Sequence, residues 1–434
     1  MARLNRTTQD SGHPAPHHRR RRTLRGHGYF QRLGPGLVTG AADDDPSGIG
    51  TYSQVGAAFG FALVWSTIVV LPMAAAVQEM AARLGLVTGY GLGTLIRHRF
   101  PRWVLLGCVA LVAIANTFNI AADLGAMGAS AHLVIPLPAP VLTVVMAAAM
   151  LALEIFVSYH RYARILRYLA LSLLAYVVVL FAVDVDWAAV LRGLIPSLDG
   201  SRGALAALIA IFGTTVSPYL FFWQASEEVE EAVEPGGDEP GDPVTPEHLV
   251  AMRVDVVGGM TSAVIVMFSI IVATGATLHA SGITTISTAD QAARALKPVA
   301  GDLAGLVFAL GVVGLGLLAV PVLAGATAYA AAEATERQEG LSRSFRDARG
   351  FYAVIGVSMV LGLALDLGGL DPIRGLYYAA ILNGLIAPPL IVVMLILARS
   401  RALLGGTRSG WLSYTLVLAT IIASVALPIA YLLT

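Results

Sequence analysis

Charge is scarce in this sequence, and cysteine is almost missing. Charged residues make up 13% of the 434 positions, whereas a soluble globular domain carries about 25%. The single cysteine, Cys108, excludes a disulfide within one chain and any cluster of cysteines around a metal. The formal net charge is zero, so no excess of positive charge favours a nucleic-acid partner. Hydrophobic residues make up 56% of the chain, and this balance predicts a membrane protein.

The hydrophobic residues form long continuous runs, and a helix needs roughly 20 such residues to cross a bilayer. A transmembrane β-barrel would instead show short segments of alternating hydrophobicity. The runs therefore predict an all-α polytopic protein embedded in a lipid bilayer. We count eleven spans, at approximately residues 34–60, 62–84, 103–131, 136–157, 164–186, 203–232, 250–280, 302–333, 350–368, 371–397 and 410–433.

The basic residues predict the orientation of these spans, because cytoplasmic loops are enriched in lysine and arginine. If the N-terminus is inside, the cytoplasmic segments hold nearly all of the 28 lysine and arginine residues. The exceptions are Arg192, Arg202, Arg294, Lys297 and Arg374. The chain is thus predicted to lie in the inner (plasma) membrane with its N-terminus in the cytoplasm and its C-terminus outside.

Two segments are predicted to lie in water. Residues 1–33 are polar and rich in arginine, and no signal-peptide pattern follows them. We therefore expect a disordered basic cytoplasmic tail ahead of an eleven-helix domain at 34–434. The stretch "SEEVEEAVEPGGDEPGDPVTPEHL" (226–249) is acidic and rich in proline and glycine. This composition favours a solvated cytoplasmic loop, and a vestibule that attracts cations is the alternative.

Two prolines fall inside apolar spans, each after a stretch of small and polar residues. Pro46, followed by Ser47, lies in "GAADDDPSGIGTYSQ" (40–54) of the first span, and Pro218 lies in "IFGTTVSPYLFFWQ" (211–224) of the sixth. If spans one to five and six to ten are two halves, the two interruptions occupy matching positions. Matched interruptions are typical of inverted-repeat transporters, which bind substrate between broken helices near the membrane midplane. The first and sixth spans are therefore predicted to be broken helices.

Three consecutive aspartates precede the first of these prolines. A carboxylate near the bilayer centre costs roughly 2.5–3.5 kcal/mol on insertion scales, and a bound cation would offset that cost. Asp45 is predicted to be the principal ligand, with backbone carbonyls around Ala42 and Asp43 beside it. Asp43 and Asp44 are each either ligands, a cap for the broken helix or groups that face a water cavity.

The opposite break offers further oxygen ligands. Thr214 and Ser217 supply hydroxyl and carbonyl oxygens, and no histidine lies within either of the small polar stretches. Sets made only of oxygen suit Mg²⁺, Ca²⁺ and Mn²⁺, whereas sulfur favours later transition metals. The sequence therefore predicts a site for a hard divalent cation.

Several segments together resemble the NRAMP family of proton-coupled divalent-metal transporters. The resemblance is carried by "GPGLVTGAADDDPSG" (34–48), "QEMAARLGLVTGYGLGTLIR" (78–97), "RILRYLALSLLAYVV" (164–178) and "NGLIAPPLIVV" (383–393), and it runs from about residue 34 to the C-terminus. It implies the LeuT-type fold, an inverted repeat of five plus five helices, followed here by an eleventh helix.

The ligand motifs of the family are altered in this chain. Asp45 takes the place of the family's metal-binding aspartate, but the asparagine three residues later is Gly48, which has no side chain. The family's Met-Pro-His in the sixth helix reads Ser217-Pro218-Tyr219 here. Because that methionine is the family's soft ligand, its loss favours harder cations.

The family's proton route is altered as well. Tyr219 replaces a histidine, and a phenol does not relay protons near neutral pH as an imidazole does. Asp123 keeps the family's acidic position in the third span, but the glutamate expected three residues later is Ala126. Asp123 either borders an aqueous path or bonds to Asn119 or a neighbouring helix. Asn383 either reaches the site as an amide behind the ligands or bonds between helices.

The resemblance implies a carrier, and its departures match NRAMP-related magnesium transporters, which also lack the methionine. We predict that a hard divalent cation, Mg²⁺ or Mn²⁺, is moved by alternating access, with weak or no proton coupling. The metal is then the substrate, and no cofactor is expected. A LeuT-fold transporter of an amino acid or another small organic solute is the main alternative, and a passive channel is a second. An enzyme is not favoured, since His160 and His279 lie near span ends without a partner pattern.

Overall fold

The computed structural model describes residues 39–40, 42–156, 174–197, 200–233, 244–338, 340–341 and 345–434. The predicted tail at 1–33 lies outside these residues, as do positions 234–243 of the predicted acidic loop. Every regular element of the described chain is helical. The principal helices are α1 (Pro46–Phe59), α2 (Trp65–Thr88), α3 (Arg102–Ala131), α4 (Ala139–Phe156), α5 (Leu174–Ala182), α6 (Arg202–Thr215), α7 (Pro218–Val233), α8 (Pro246–Thr274), α9 (Ala304–Thr335), α10 (Arg349–Leu367), α11 (Pro372–Ala398) and α12 (Trp411–Leu433). Shorter helices include Leu92–Arg99, Trp187–Gly193, Ala289–Ala293, Lys297–Ala300 and Arg401–Leu404.

Nine stretches of the described chain are long and apolar enough to cross a membrane. They coincide with the second to fourth and the sixth to eleventh predicted spans, so the prediction of a polytopic helical protein is confirmed. α1 and α5 belong to the first and fifth predicted spans, which also contain residues outside the described part.

Both predicted helix breaks are present. In the first span the chain leaves the helical conformation at Asp44 and Asp45, and α1 begins at Pro46. In the sixth span α6 ends at Thr215 and α7 begins at Pro218. Proline suits the first position of a helix, because its missing N–H would have no partner there and its φ is already helical. The two prolines therefore start new helices where a continuous span would otherwise run.

The predicted solvated loop at 226–249 is wrong for its first residues. α7 continues through them to Val233, and Glu227 and Glu228 are buried. Glu228 accepts a hydrogen bond of 2.9 Å from the side chain of Gln224, one turn earlier. Glutamate and alanine are good helix formers, so a composition typical of a loop also suits the end of a helix once the charges have partners.

A buried ion-pair network ties α2 to α8 and to the segment before α12. Glu79 and Arg83, one turn apart in α2, form an ion pair, and Glu79 also accepts a hydrogen bond of 3.1 Å from Arg253 of α8. Ser409 donates to the other carboxylate oxygen of Glu79 at 2.9 Å. A buried charge is tolerated when it is paired and hydrogen-bonded, and this network meets both conditions.

The break in the sixth span is held against α11 by close backbone contact. A Cβ atom on Gly213 of α6 would overlap the carbonyl oxygen of Ala380 and the backbone of Gly384. Small residues allow such approaches between membrane helices, where packing and hydrogen bonds drive association. Gly213 therefore fixes the end of α6 beside α11, one residue before Thr214.

Gly91 meets a similar constraint beside the carboxylate of Glu333. Glu333 of α9 is buried and accepts hydrogen bonds from the backbone N–H of Thr94 at 3.0 Å and from Ser226 of α7 at 2.9 Å. A Cβ atom on Gly91 would overlap Glu333 Oε1. The carboxylate thus binds the start of the helix Leu92–Arg99 only because Gly91 has no side chain.

We expect Gly91→Ala to lower the stability of the protein by about 1–3 kcal/mol, the range of a local steric conflict in the core. The measurement is thermal unfolding of the purified protein in detergent. Gly107→Ala is the matched control, since a Cβ there meets nothing within 4 Å, and it should cause no loss. Equal melting temperatures for the two variants would contradict the prediction.

Candidate metal site at the two helix breaks

The two helix breaks face each other in the interior of the protein. The Ser47 hydroxyl at the start of α1 lies 3.4 Å from the Thr214 hydroxyl at the end of α6. One turn further along α1, the Tyr52 hydroxyl and the Thr215 hydroxyl form a hydrogen bond of 2.9 Å. All four side chains are buried. The structure thus brings together the two predicted halves of the site, which are more than 160 residues apart in the sequence.

Asp45 lies between the breaks and uses both carboxylate oxygens. Its Oδ1 accepts a hydrogen bond of 2.7 Å from the backbone N–H of Gly48, which makes Asp45 the N-cap of α1. Its Oδ2 accepts a hydrogen bond of 3.1 Å from the Tyr219 hydroxyl, which also donates to the Ala42 carbonyl oxygen at 2.9 Å. Each carboxylate oxygen has two lone pairs, so capping leaves Asp45 able to bind a cation.

The other two aspartates lack such partners. Both carboxylate oxygens of Asp43, and Oδ1 of Asp44, are buried and have no hydrogen-bond partner in the described part of the chain. The predicted alternative in which one of them caps the broken helix is wrong, because Asp45 is the cap. No group of three or more histidine, cysteine, aspartate or glutamate side chains in the described chain converges as a metal cage. The three aspartates therefore do not form a joint cage of side chains.

Asp123 of α3 is a fourth buried carboxylate at this place. It interacts with the Asp45 carboxylate and with the backbone N–H of Ser47. Neither of its oxygens makes a hydrogen bond of ordinary geometry within the described residues. Like charges at close range repel, and burial strengthens the repulsion. Asp123 thus adds negative potential at the first break, but it makes no hydrogen bond of ordinary geometry to the described residues there.

Asn119 and Asn383 pair with each other, not with the aspartates. The Asn119 amide donates to Asn383 at 2.9 Å, and the reciprocal contact is 3.3 Å. Asn119 also donates to the Ala115 carbonyl at 3.1 Å, so the predicted alternative of an Asn119–Asp123 bond is not what the structure shows. The pair joins α3 to α11, which is the helix–helix bond predicted as one role of Asn383.

The remaining predicted ligands differ in what they offer. The Ser217 hydroxyl donates to the Gly213 and Thr214 carbonyls at 2.8 and 2.7 Å, so its hydrogen is directed at its own chain. The Thr214 hydroxyl faces Ser47 across the gap. A Cβ atom on Gly48 would lie 3.1 Å from the Asp43 carbonyl oxygen and 3.5 Å from Asp45 Oδ1. Any side chain at Gly48 would thus start close to Asp45, and glycine leaves that space open.

A narrow cavity begins at Pro46, the residue after Asp45, and runs along α1 and α3. Ser53, Ala126 and Ser130 are among its lining residues. Ala126 is the position where the family resemblance leads one to expect a glutamate, and its small side chain leaves part of this cavity free. The hydroxyls of Ser53 and Ser130 are buried and make no hydrogen bond of ordinary geometry in the described chain. Unpartnered hydroxyls in a cavity are natural positions for water.

Two residues of the site were missed in the sequence. Tyr52 and Thr215 link the two half-helices by their hydroxyls, and neither is among the predicted site residues. A usable signal was the helical spacing, because Tyr52 lies four residues after Gly48 and thus on the same face of α1. No comparable signal marks Thr215, whose partner is 163 residues away in the chain.

The arrangement offers oxygen atoms and negative charge to a cation. The oxygens come from the Asp45 carboxylate, the Ala42 carbonyl and the Thr214 hydroxyl, with Asp43 and Asp123 adding charge. Hard cations with several retained waters suit such a sparse oxygen set. The described residues around the breaks supply neither thiolate nor imidazole, so the chemistry of the site is that of oxygen ligands.

Comparison with known proteins gives relatives over nearly the whole chain. The protein is 26% identical over 392 residues to the divalent metal cation transporter MntH of Pectobacterium carotovorum subsp. carotovorum (strain PC1), covering 87% of this chain and 88% of that protein. It is 30% identical over 297 residues to the protein of the same name from Yersinia pestis (strain Pestoides F), covering 66% of this chain and 68% of that protein.

Solved structures agree on the fold. A manganese transporter of Eremococcus coleocola, in complex with an aromatic bis-isothiourea substituted compound, matches with a TM-score of 0.72 at 19% identity, covering 93% of this chain and 87% of that one. Mhp1, a nucleobase-cation-symport-1 family transporter, matches with a TM-score of 0.57 at 15% identity, covering 92% of each chain. These likenesses confirm the predicted LeuT-type fold. Residues 36–434 match the family model described as natural resistance-associated macrophage protein-like, and the chain therefore belongs to the Nramp family.

Proposed function

We propose that this protein is a carrier that moves a hard divalent cation, Mg²⁺ or Mn²⁺, by alternating access, with weak or no proton coupling. The observation that carries the proposal is the set of buried carboxylates at the first break. Asp43 and Asp123 lack ordinary hydrogen-bond partners in the described chain, and Asp45 accepts a hydrogen bond from Tyr219 of the opposite half-helix. Burying a carboxylate without a partner is costly, and a divalent cation would offset that cost for several of them at once.

In this proposal Asp45 is the principal ligand, with the Ala42 carbonyl and the Thr214 hydroxyl as neutral oxygen ligands. Gly48 and Ser217 supply little beyond the space that they leave. Mg²⁺ dehydrates reluctantly and keeps several waters in most protein sites. The few oxygen ligands at the breaks leave coordination positions for retained waters, which supports a partly hydrated cation as the substrate.

Family membership supports metal transport over catalysis. The curated relatives are named divalent metal cation transporters, and a structure of the same fold belongs to a manganese transporter. A transport protein of this kind needs no resident cofactor, because the metal is its cargo. Broken helices at matching positions of an inverted repeat support alternating access in place of an open channel.

Weak proton coupling is supported by what lies around Asp45. The hydroxyl of Tyr219, not an imidazole, contacts the carboxylate, and Ala126 lines the cavity at the position of the family's glutamate. Neither side chain takes up a proton near neutral pH. On α3, Asp123 remains the one titratable neighbour of Asp45. A single carboxylate does not by itself form a chain of groups that passes a proton along.

A small organic solute is the second candidate, and the fold likeness to Mhp1 is the observation that favours it. A solute with a carboxylate would meet Asp43, Asp45 and Asp123 at the breaks, and that like-charge contact is unfavourable. A cationic or neutral solute avoids this repulsion. The uptake experiment below therefore separates a metal cation from a small organic solute as the substrate.

We also propose that the N-terminus lies in the cytoplasm and the C-terminus outside. The distribution of arginine along the chain supports this orientation.

The test is uptake of Mg²⁺ and Mn²⁺, measured in parallel, into proteoliposomes that contain the full chain and an internal pH dye. We expect cation entry without internal acidification, because the positions of the family's proton-carrying histidine and glutamate are Tyr219 and Ala126 in this chain. Protein-free liposomes correct for leakage.

Cation entry with a proportional fall of internal pH would contradict the proposed loss of proton coupling. Uptake of neither cation, together with uptake of a labelled amino acid or nucleobase, would replace the metal proposal by the organic-solute alternative.

A further inference from the structure

One hydroxyl group occupies the centre of the candidate site. Tyr219, the second residue of α7, is completely buried, and its hydroxyl donates to the Ala42 carbonyl oxygen at 2.9 Å and to Asp45 Oδ2 at 3.1 Å. A phenol has a single hydrogen to donate, so the two oxygens share it. Ala42 lies in the helical turn before the first break, and Asp45 is the last unwound residue before α1.

The same two oxygens are the ones that the proposed function gives to the metal. The hydrogen of the Tyr219 hydroxyl therefore lies where a cation would have to approach Ala42 and Asp45. The proposed ligands place the cation between the first break and the sixth span, and the Tyr219 hydroxyl reaches the two oxygens from that same side. A cation that takes this place must displace the hydrogen. Tyr219 and the metal thus compete for one position.

We propose that Tyr219 is a positioning residue that stands in for the cation when the carrier is empty. This inference rests on the proposed function. The hydroxyl keeps Ala42 and Asp45 in register across the break after the metal leaves, and it gives the Asp45 carboxylate a neutral donor in place of the lost charge. The empty carrier can then reorient without a second ion in this position.

The physical reason is the cost of an unsatisfied carboxylate. In a buried site, a carboxylate that loses its cation and has no water must find hydrogen-bond donors or carry a large desolvation penalty. The Gly48 N–H satisfies Oδ1 of Asp45, and the Tyr219 hydroxyl satisfies Oδ2. Without that hydroxyl, Oδ2 would face the empty site alone during reorientation.

Two consequences follow for a variant that lacks only this hydroxyl. The empty state loses a hydrogen bond that the metal-bound state does not have, so metal binding becomes tighter. Reorientation of the empty carrier becomes slower, because Asp45 has lost its donor. Metal exchange across the membrane uses only the loaded carrier and is spared this slow step.

Tyr219→Phe removes the hydroxyl and keeps the ring, and Tyr329→Phe is the matched control. Tyr329 of α9 is also fully buried, and its hydroxyl also donates to a carboxylate, that of Glu230 near the C-terminal end of α7. Each full-length variant is purified, its Mn²⁺ affinity is measured by calorimetry in detergent, and it is then reconstituted. Net Mn²⁺ uptake and Mn²⁺/Mn²⁺ counterflow are measured in the same proteoliposomes.

For Tyr219→Phe we expect the Kd for Mn²⁺ to fall about tenfold, as for the loss of one hydrogen bond to a charged group. The ratio of net uptake to counterflow should also fall about tenfold. Tyr329→Phe should keep the wild-type Kd and the wild-type ratio.

Weaker binding by Tyr219→Phe would make Tyr219 a metal ligand and overturn the inference. An unchanged ratio of net uptake to counterflow would overturn it too, as would the same shifts in Tyr329→Phe, since the loss of any buried tyrosine hydroxyl would then suffice. Wild-type protein that neither binds nor transports Mn²⁺ or Mg²⁺ would instead remove the proposed function, and the inference with it.

Discussion

Replacing Asp45 by asparagine is expected to reduce Mg²⁺ and Mn²⁺ uptake at least about a hundredfold while leaving the protein folded. Loss of groups that merely orient metal ligands costs about 10–100-fold in affinity, and Asp45 is the proposed ligand itself. Asparagine keeps a side-chain oxygen that can accept the Gly48 N–H, and it is as good an N-cap as aspartate. The charge is removed and the cap is retained.

Asp45→Ala completes the comparison, because it removes both the charge and the cap. We expect the same loss of uptake and, in addition, a loss of about 1 kcal/mol in stability, the usual cost of a missing helix cap. Uptake from proteoliposomes and thermal unfolding in detergent separate the two effects. The measured difference in stability between the two variants is the contribution of the side-chain amide, which includes the cap.

The control is Asp186→Asn, an aspartate that caps another helix. Asp186 accepts a hydrogen bond of 2.9 Å from the backbone N–H of Ala189 and is exposed. It is not one of the residues at the two breaks. Its replacement should leave uptake unchanged. Asp45→Asn with wild-type uptake would refute the role of Asp45 as principal ligand, even if Asp45→Ala proved inactive through misfolding.

The fold and the two breaks were predictable because they depend on local composition. Long apolar runs predict membrane helices directly, and proline with small polar neighbours predicts where a new helix begins. Pro46 and Pro218 both begin helices in the structure. The family resemblance then assigned the order of the helices, which hydropathy alone does not give.

The details of the site were less predictable because they depend on contacts between distant residues. Tyr219 and Ala42 are 177 positions apart, and Asn119 and Asn383 are 264 positions apart. Composition also misassigned the buried glutamates after Ser226. A run of glutamate and proline predicts a solvent-exposed loop as long as the partner side chains are unknown. Sequence patterns therefore predicted a set of candidate residues, and only the structure showed which of them are hydrogen-bonded to each other.

Restoring the soft ligand at Ser217 should reverse the cation preference. In the resemblance to the Nramp family, Ser217 holds the position of the family's methionine. We expect Ser217→Met to raise the uptake of Cd²⁺ relative to Mg²⁺ about tenfold or more, since a thioether binds soft cations and adds nothing for Mg²⁺. Ser217 is buried in the second break, so a side chain at this position lies in the protein interior and not in the lipid.

Size must be separated from softness, because methionine is much larger than serine and crowding in a packed interior costs about 1–3 kcal/mol. Ser217→Leu is the matched variant, since leucine and methionine have similar volumes and leucine has no sulfur. Both changes also remove the hydrogen bonds that the Ser217 hydroxyl donates to Gly213 and Thr214. The competition of Mg²⁺ against Cd²⁺ uptake is measured for both variants in proteoliposomes.

The expected result is a gain of Cd²⁺ preference in Ser217→Met that Ser217→Leu does not share. That difference would mean that the side chain at position 217 faces the cation. The proposed preference of the protein for hard cations would then come from the absence of a sulfur ligand at this position. The same preference in both variants would mean that volume, not ligand chemistry, controls the choice of cation. The hard-ion preference would then arise mainly from the carboxylates before Pro46, whose charge density favours small, strongly hydrated cations through electrostatic attraction.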